Sequence, residues 1–267
     1  MTTLLGLSVI LPVLNERDNL AELIPEIIDH LEPVVQEFEI IVVNDSSTDG
    51  TDDLMSEFCA KDLRVRHLRR TGLPASLPDS LADGVGAAAF DHIAWLDADG
   101  SMPPQVLVEL VSSYRSSLAT DPVVVGSRFI SGGGFKGIET VGETRWWQVL
   151  SNLRESNDSV SAVVLSRVLN RYLWLLLGRC CRDLASGFVV VSRESATRLG
   201  FRGYYGDYCV RFLYLAHRRH HEIIEVPYVC QVRRHGYSKT GSTLASLVKR
   251  GLPYVVLPLK LRRSVSS

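Results

Sequence analysis

Short runs of consecutive apolar residues recur along the first half of the chain. The first four in chain order are each succeeded by a stretch in which apolar residues return every three or four positions. Leu7–Val13, Phe38–Val43, His92–Leu96 and Pro122–Gly126 read as strands, and Arg64–Leu68, a weaker pattern interrupted by Arg and His, reads as the third along the chain. The intervening periodicity predicts helices from about Asn19 to Leu31, after Thr51, around Ser80–Ala89, and from Pro104 to about Leu118. Strands that are apolar throughout are buried on both faces, and strands separated by helices pair in parallel. The expected fold class is therefore α/β, a doubly wound and mostly parallel sheet with helices on both faces.

Further along, residues 130–145 are rich in Gly, Ser and Thr and read as a loop. Beyond it the pattern predicts a long helix over about 146–177, a strand at Gly187–Val191, a helix near 206–219 and a strand at 223–232. Residues 1–241 are expected to form one domain, with 242–267 as a basic helical appendage. A length of 267 residues is at the upper end for a single domain.

Composition narrows the function. The 29 basic and 30 acidic residues leave a net charge of -1, without the basic excess of a nucleic-acid binder. Five cysteines without a C-x-x-C pair argue against a disulfide framework or structural zinc, and reduced thiols suit the cytoplasm. His217, His220 and His221, flanked by Arg218 and Arg219, read as a solvated turn rather than a zinc site. Leu7–Leu14 lacks a basic flank and is broken by Pro12, so it does not read as a signal peptide. Leu252–Leu259 is too short to span a bilayer, which takes roughly 20 apolar residues.

The residues just past each strand are the most informative feature. Ligands of open α/β sheets sit outside the carboxyl ends of the strands. Asn15-Glu16 come after the first strand, Asn44-Asp45-Ser46-Ser47 after the second, Asp97-Ala98-Asp99 after the fourth and Ser127-Arg128 after the fifth. Four strand ends thus carry carboxylates, amides or a guanidinium to one rim. Asp97 and Asp99, spaced i, i+2, can offer one carboxylate to a ribose and the other to Mg²⁺ or Mn²⁺, which prefer oxygen ligands. Asp45 can accept a hydrogen bond from a nucleobase, while Thr48, Asp49 or Thr51 can cap the next helix.

On these motifs the chain resembles the family-2 glycosyltransferases of GT-A fold, and within them the polyprenyl- and dolichyl-phosphate mannose synthases. The segments that carry the resemblance are Pro12–Glu16, Val43–Thr51, Trp95–Asp99 with Pro103-Pro104, and Gly126–Arg128. In the second half they are Ser166-Arg167-x-x-Asn170, Asp183-x-x-Ser186-Gly187-Phe188, Glu225-Val226-Pro227 and Arg233-x-x-Gly236-x-Ser238-Lys239. The resemblance implies that Pro12, Asn15, Glu16 and Asp45 help hold the nucleoside. Asp97 would lie against the ribose and metal, with Asp99 as metal ligand. Arg128 and Arg167, beside Ser166, would bind an acceptor phosphate, and Arg233 and Lys239 the diphosphate. It implies inversion at the anomeric carbon, a nucleotide-sugar donor (GDP-mannose) and a polyprenyl-phosphate acceptor met at the cytoplasmic face of a membrane. Ser101 stands where the family commonly has a further metal-binding Gln. Gly72–Gly84 is broken by prolines where a glycine-rich loop is usual, and the stretch 134–166, with Trp146-Trp147, is longer than in compact synthases.

A phosphate monoester, with a second pKa of about 6, is largely dianionic at neutral pH and needs orientation rather than deprotonation. The alternative is a family-2 enzyme that transfers from a UDP- or GDP-sugar to a hydroxyl of a soluble acceptor, and then a base is required. Asp207, opening a helix, is the residue for that role, although an aspartate there also suits the helix dipole. The basic stretch Leu244–Arg263 reads equally as a membrane-surface segment or as a docked terminal helix.

Overall fold

The computed structural model describes residues 6–136, 159–236 and 254–262. Alternate residues of its central strands serve two separate cores. In β1 (Leu7–Val13), Val9 and Leu11 face one core and Ile10 the other; in β2 (Phe38–Asn44), Ile40 and Val42 oppose Ile41 and Val43. Every one of these side chains is buried. Burial on both faces is why these runs read as continuous rather than alternating.

The chain continues through α1 (Arg17–Leu31), α2 (Thr51–Lys61), β3 (Val65–Arg69), α3 (Leu77–Ala87), β4 (His92–Trp95), α4 (Pro104–Ser116), β5 (Val123–Ser127) and β6 (Gly134–Phe135). It is completed by α5 (Ser159–Leu176), β7 (Val189–Ser192), α6 (Arg193–Leu199), α7 (Asp207–Arg218), β8 (Ile223–Pro227) and β9 (Val229–Cys230). Residues from α1, α2 and α4 build one core, and residues from α3, α5, α6 and α7 the other, so the sheet is covered on both sides.

The seven-stranded sheet has the order β3-β2-β1-β4-β7-β5-β8. All neighbours are parallel except that β7 runs antiparallel to both β4 and β5. One strand inside the sheet is therefore reversed. A second sheet pairs β6 with β9, so the expected strand over 223–232 is split by Tyr228 and serves two sheets. Of the two prolines in the 72–84 segment, Pro74 lies in the loop and Pro78 helps start a helix. Pro78 lies in the first turn of α3, and the Ser76 hydroxyl accepts a hydrogen bond from the Asp79 amide at 3.3 Å. The expected helix over 146–177 is described from Ser159 onward, and its earlier part lies outside the described residues.

Residues 254–262 are largely helical and pack on the second core through Leu261, while the Tyr172 hydroxyl donates to the Val255 carbonyl at 3.0 Å. All five cysteines are free, and among the described residues no helix is long and apolar enough to cross a membrane.

Candidate active site

At β1 the strand order turns back, with β2 and β3 on one side and β4 on the other. Such a switch point leaves a crevice beyond the strand ends. A cleft of about 360 Å³ opens there, and Pro12, Glu16, Asp45, Asp97, Asp99 and Arg233 all line it. Its far wall comes from Tyr204, Tyr205, Tyr208 and Tyr254, four residues that no strand-end rule singles out.

Each acidic side chain has a distinct surrounding. Asp45 is buried, and both its oxygens are engaged. Oδ1 accepts from Arg70 Nη1 at 2.7 Å, and Oδ2 from the Ser76 amide at 2.6 Å and the Ser80 hydroxyl at 3.3 Å. Arg70, itself buried, comes directly after β3 and extends the strand-end pattern to a strand whose end carried no such expectation. Helix capping falls to Asp49 instead. Its Oδ1 accepts from the amide and hydroxyl of Thr51, and its Oδ2 from the Arg17 amide at 2.9 Å, so one carboxylate serves the first turns of two helices.

Asn15 does not line the cleft. With φ of 54° it accepts from the Thr48 amide at 2.7 Å and donates its own amide to Ser47 Oγ at 2.8 Å, tying the β1 and β2 loops together. Glu16 faces the cleft but is gripped by Arg233 in a two-pronged pair at 2.6 and 2.8 Å, with Asn19 donating to the same carboxylate at 2.7 Å. Arg233 Nη2 also comes within 3.6 Å of Asp99 Oδ2. The segment 231–234 is pinned beside Asp99 because the Gln231 amide donates to the Ser101 carbonyl at 2.9 Å and the Arg234 amide to the Asp99 carbonyl at 3.2 Å. Gly100, at φ +77°, completes this turn. A Cβ there would meet Arg234 Nε at 2.7 Å and push that side chain aside, but it is the left-handed backbone that calls for glycine.

Asp97 and Asp99 share the cleft floor. Burial pushes the Asp97 carboxyl up from its usual 3.8 to about 7, and the neighbouring Asp99 charge adds to the rise, against the pull of Arg128 and Arg233. Between about pH 4 and pH 7 the folded protein keeps a proton that the unfolded chain has lost, so stability falls as pH rises through that window. The stability margin of Asp97→Asn over wild type, measured by urea unfolding in chelator, is expected to widen from about pH 4 to 7 and then level off. A margin independent of pH would refute this assignment.

Two oxygen donors of this kind fit Mg²⁺ or Mn²⁺, which commonly take only one or two protein carboxylates. No third His, Cys, Asp or Glu converges with them among the described residues. The remaining positions suit the oxygens of a bound diphosphate and water.

Arg128 and Arg167 lie elsewhere, in a second pocket of about 580 Å³ that also includes Asn170, Arg171, Trp174 and Arg182. Arg128 forks onto Asp183, with Nε at 2.7 Å and Nη2 at 2.8 Å, and its amide donates to the same carboxylate at 3.0 Å. Asp183 is fully buried. Arg167 Nε is buried without a hydrogen-bond partner among the described residues. Ser166 lies one residue before it on α5, and its carbonyl accepts from Asn170 Nδ2 at 3.1 Å.

The segment ahead of β7 borders both pockets, with Arg182 lining the second and Ala185 and Gly187 the first. In an antiparallel strand the residues before the strand, not after it, reach the rim. Asp183 thus meets Arg128 while Ala185 and Gly187 line the first cleft. Asp207 is buried behind that cleft's wall, where its Oδ1 accepts from the amides of Tyr204 and Tyr205, each at 2.8 Å. Lys239 lies outside the described residues.

The model of the family described as Glycosyl transferase family 2 matches residues 8–196. Among curated proteins, a dolichol-phosphate mannosyltransferase from Pyrococcus furiosus is 27% identical over 89% of this chain, which spans 60% of that protein. A polyprenol monophosphomannose synthase from Mycolicibacterium smegmatis is 28% identical over 88% of this chain and 82% of its own length. Among solved structures, glucosyl-3-phosphoglycerate synthase from Mycobacterium tuberculosis, in complex with Mn²⁺, UDP-glucose and phosphoglyceric acid, aligns with a TM-score of 0.61 at 20% identity. That alignment covers 96% of this chain and 79% of the other, and it establishes the shared GT-A architecture.

Proposed function

We propose that this chain, which belongs to glycosyl transferase family 2, moves a hexose from a nucleotide sugar onto the phosphate of an anionic acceptor. The donor in this reading is GDP-mannose and the acceptor a polyprenyl phosphate, in keeping with the names of its relatives. The observation that carries it is the pair of adjoining pockets. One is floored by Asp97 and Asp99 and flanked by Arg233; the other is lined by arginines, with the buried Asp183 paired to Arg128 between them.

The division of labour rests on charge. Asp97 and Asp99 would hold Mg²⁺ or Mn²⁺, which when bound supplies Lewis-acid neutralisation of the leaving diphosphate. Arg233, held by Glu16 next to Asp99, places a guanidinium where the same negative charge accumulates. Pro12 and Asp45 border the nucleoside end of the cleft, the latter through a carboxylate set by Arg70. Across the rim, Arg128 and Arg167 would orient the acceptor phosphate, which is already dianionic and needs no base. In this reading Asp207 is a positioning residue that holds the tyrosine wall. A polyprenyl-phosphate acceptor puts the protein at the cytoplasmic face of a membrane.

Arg167 offers the cleanest test, because its guanidinium is not committed to a carboxylate among the described residues. Arg167→Ala is expected to raise the acceptor KM about tenfold to a hundredfold, as charge-assisted bonds worth about 1.5–3 kcal/mol are lost. Donor affinity should stay unchanged, and Arg167→Lys should rescue only partly, since an ammonium lacks the planar fork. The assay offers GDP-mannose or UDP-glucose with a short polyprenyl phosphate, and in parallel with the free polyprenol. Product from the phosphorylated lipid alone supports the reading. If neither lipid is glycosylated, or if Arg167→Ala behaves as wild type, the lipid-phosphate acceptor fails and Asp207 becomes the candidate base for a hydroxyl acceptor.

A further inference from the structure

The arginine pocket holds more positive charge than one phosphate requires. On α5, Arg167, Asn170, Arg171 and Trp174 recur at i, i+3, i+4 and i+7 and share one helix face. The chain then reverses through Gly178 and Arg179, both in the left-handed region at φ 82° and 60°. The turn brings later arginines back over the Trp174 ring. Arg171, Arg179 and Arg182 hold their guanidinium carbons 4.8, 5.1 and 4.1 Å from its centroid.

Arg171, Arg179 and Arg182 are exposed, so solvent screens much of the repulsion among the three guanidinium groups and leaves the cluster open to an anionic ligand. Among the described residues, none of Arg167, Arg171, Arg179 or Arg182 forms an ion pair. Two carboxylates lie nearby. Asp183 holds Arg128, while Glu225 accepts the backbone amide of Arg182 on Oε2 at 2.9 Å and its buried Oε1 has no hydrogen-bond partner among the described residues, so Glu225 offsets part of the charge without pairing with a guanidinium. The pocket volume of about 580 Å³ also exceeds the about 360 Å³ of the donor cleft. Among the described residues, an acceptor phosphate on Arg128 and Arg167 thus leaves Arg171 and Arg182 without an ion-pair partner, in the same cavity.

We propose that the acceptor carries a second anionic group, a phosphate or carboxylate beyond the reacting phosphate, and that Arg171 and Arg182 bind it against Trp174. This rests on the reading of the acceptor as a phosphate and narrows it, because a polyprenyl monophosphate would occupy Arg128 and Arg167 alone and leave Arg171 and Arg182 empty. Two sources share the chemistry: a lipid whose head carries a second phosphate, and a small phosphorylated acid.

The test uses two pairs of ligands that differ by one anionic group, short polyprenyl diphosphate against its monophosphate and phosphoglyceric acid against glycerol phosphate. Binding is measured by calorimetry on the full chain with Mn²⁺ and with GDP or UDP, whichever raises the Tm, so that the donor cleft is filled. In at least one pair the doubly anionic member should bind about tenfold tighter or better. The pair that shows the gain identifies the source. Arg171→Gln combined with Arg182→Gln should erase the gain and leave the singly anionic member within about threefold of wild type. The corresponding Lys pair, which keeps the charge, should retain part of it.

Equal binding within both pairs overturns the inference. So does a gain that survives the Gln substitutions, or an equal weakening of both members by them. If the singly anionic ligands do not bind wild type, or bind it no better than Arg167→Ala, the acceptor-phosphate reading falls and this inference falls with it.

Discussion

Replacing Asp99 by Asn is expected to lower kcat/KM at least about a hundredfold while leaving the fold intact. The side chain is 21% exposed and belongs to neither core. Its Oδ1 accepts the Ser101 amide at 2.9 Å, which an asparagine carbonyl oxygen also does, and its Oδ2 only approaches Arg233 Nη2, at 3.6 Å. The turn that carries Asp97 should therefore survive, and urea unfolding should shift by less than about 1 kcal/mol. The substitution removes a negative oxygen facing the cleft. With it should go the extra thermal stabilisation that Mn²⁺ adds to a bound nucleoside diphosphate. Wild type in excess chelator should be as inactive as Asp99→Asn. Full turnover under either condition would remove the divalent cation from the reaction and leave Arg233 as the diphosphate's main counter-charge.

Arg128→Ala should cost about 3–5 kcal/mol of stability, the largest loss expected for any single substitution in the site. Asp183 is wholly buried, and the Arg128 side chain is 15% exposed. Truncating the arginine leaves a buried carboxylate with one backbone amide where it had three donors. It also removes the cation that sits over Phe129 and Phe135, at 5.5 and 5.4 Å from their centroids. Adding Asp183→Asn to Arg128→Ala should recover part of the loss, because a neutral amide is cheaper to bury than an unpaired charge. Urea unfolding of the two single variants and the double variant gives the coupling, expected to exceed about 1 kcal/mol. Additive losses, or an Arg128→Ala cost under about 1 kcal/mol, would show that the pair is not a structural unit. The consequence for enzymology is practical. Activity lost in Arg128→Ala mixes destabilisation with acceptor binding, whereas Arg167→Ala isolates the latter.

Much of the fold and part of the site were legible in the chain itself. The continuous apolar runs at Leu7–Val13 and Phe38–Asn44 report burial on both faces, and that alone implies a covered, largely parallel sheet. Because residues after parallel strands gather on one edge, Glu16, Asp45 and Asp97–Asp99 could be assigned to one rim, and they line one cleft. The arginine face of α5 was also present in the sequence, in the helical spacing of Arg167, Asn170, Arg171 and Trp174, although only the first two fall on motif positions.

Other features were decided only by the tertiary structure. An apolar run such as Val189–Ser192 carries no mark of its direction, because its two faces are buried in either orientation. Its antiparallel insertion between β4 and β5 brings Asp183 to the rim, and no rule about residues after strands could find that aspartate. The pairs that shape the site join Glu16 to Arg233 and Arg128 to Asp183, across 217 and 55 residues of chain. Local propensity and spacing act over a turn or two of backbone. Which carboxylate meets which guanidinium is settled by the packing of whole elements, and that choice left Arg167, Arg171 and Arg182 without ion-pair partners among the described residues.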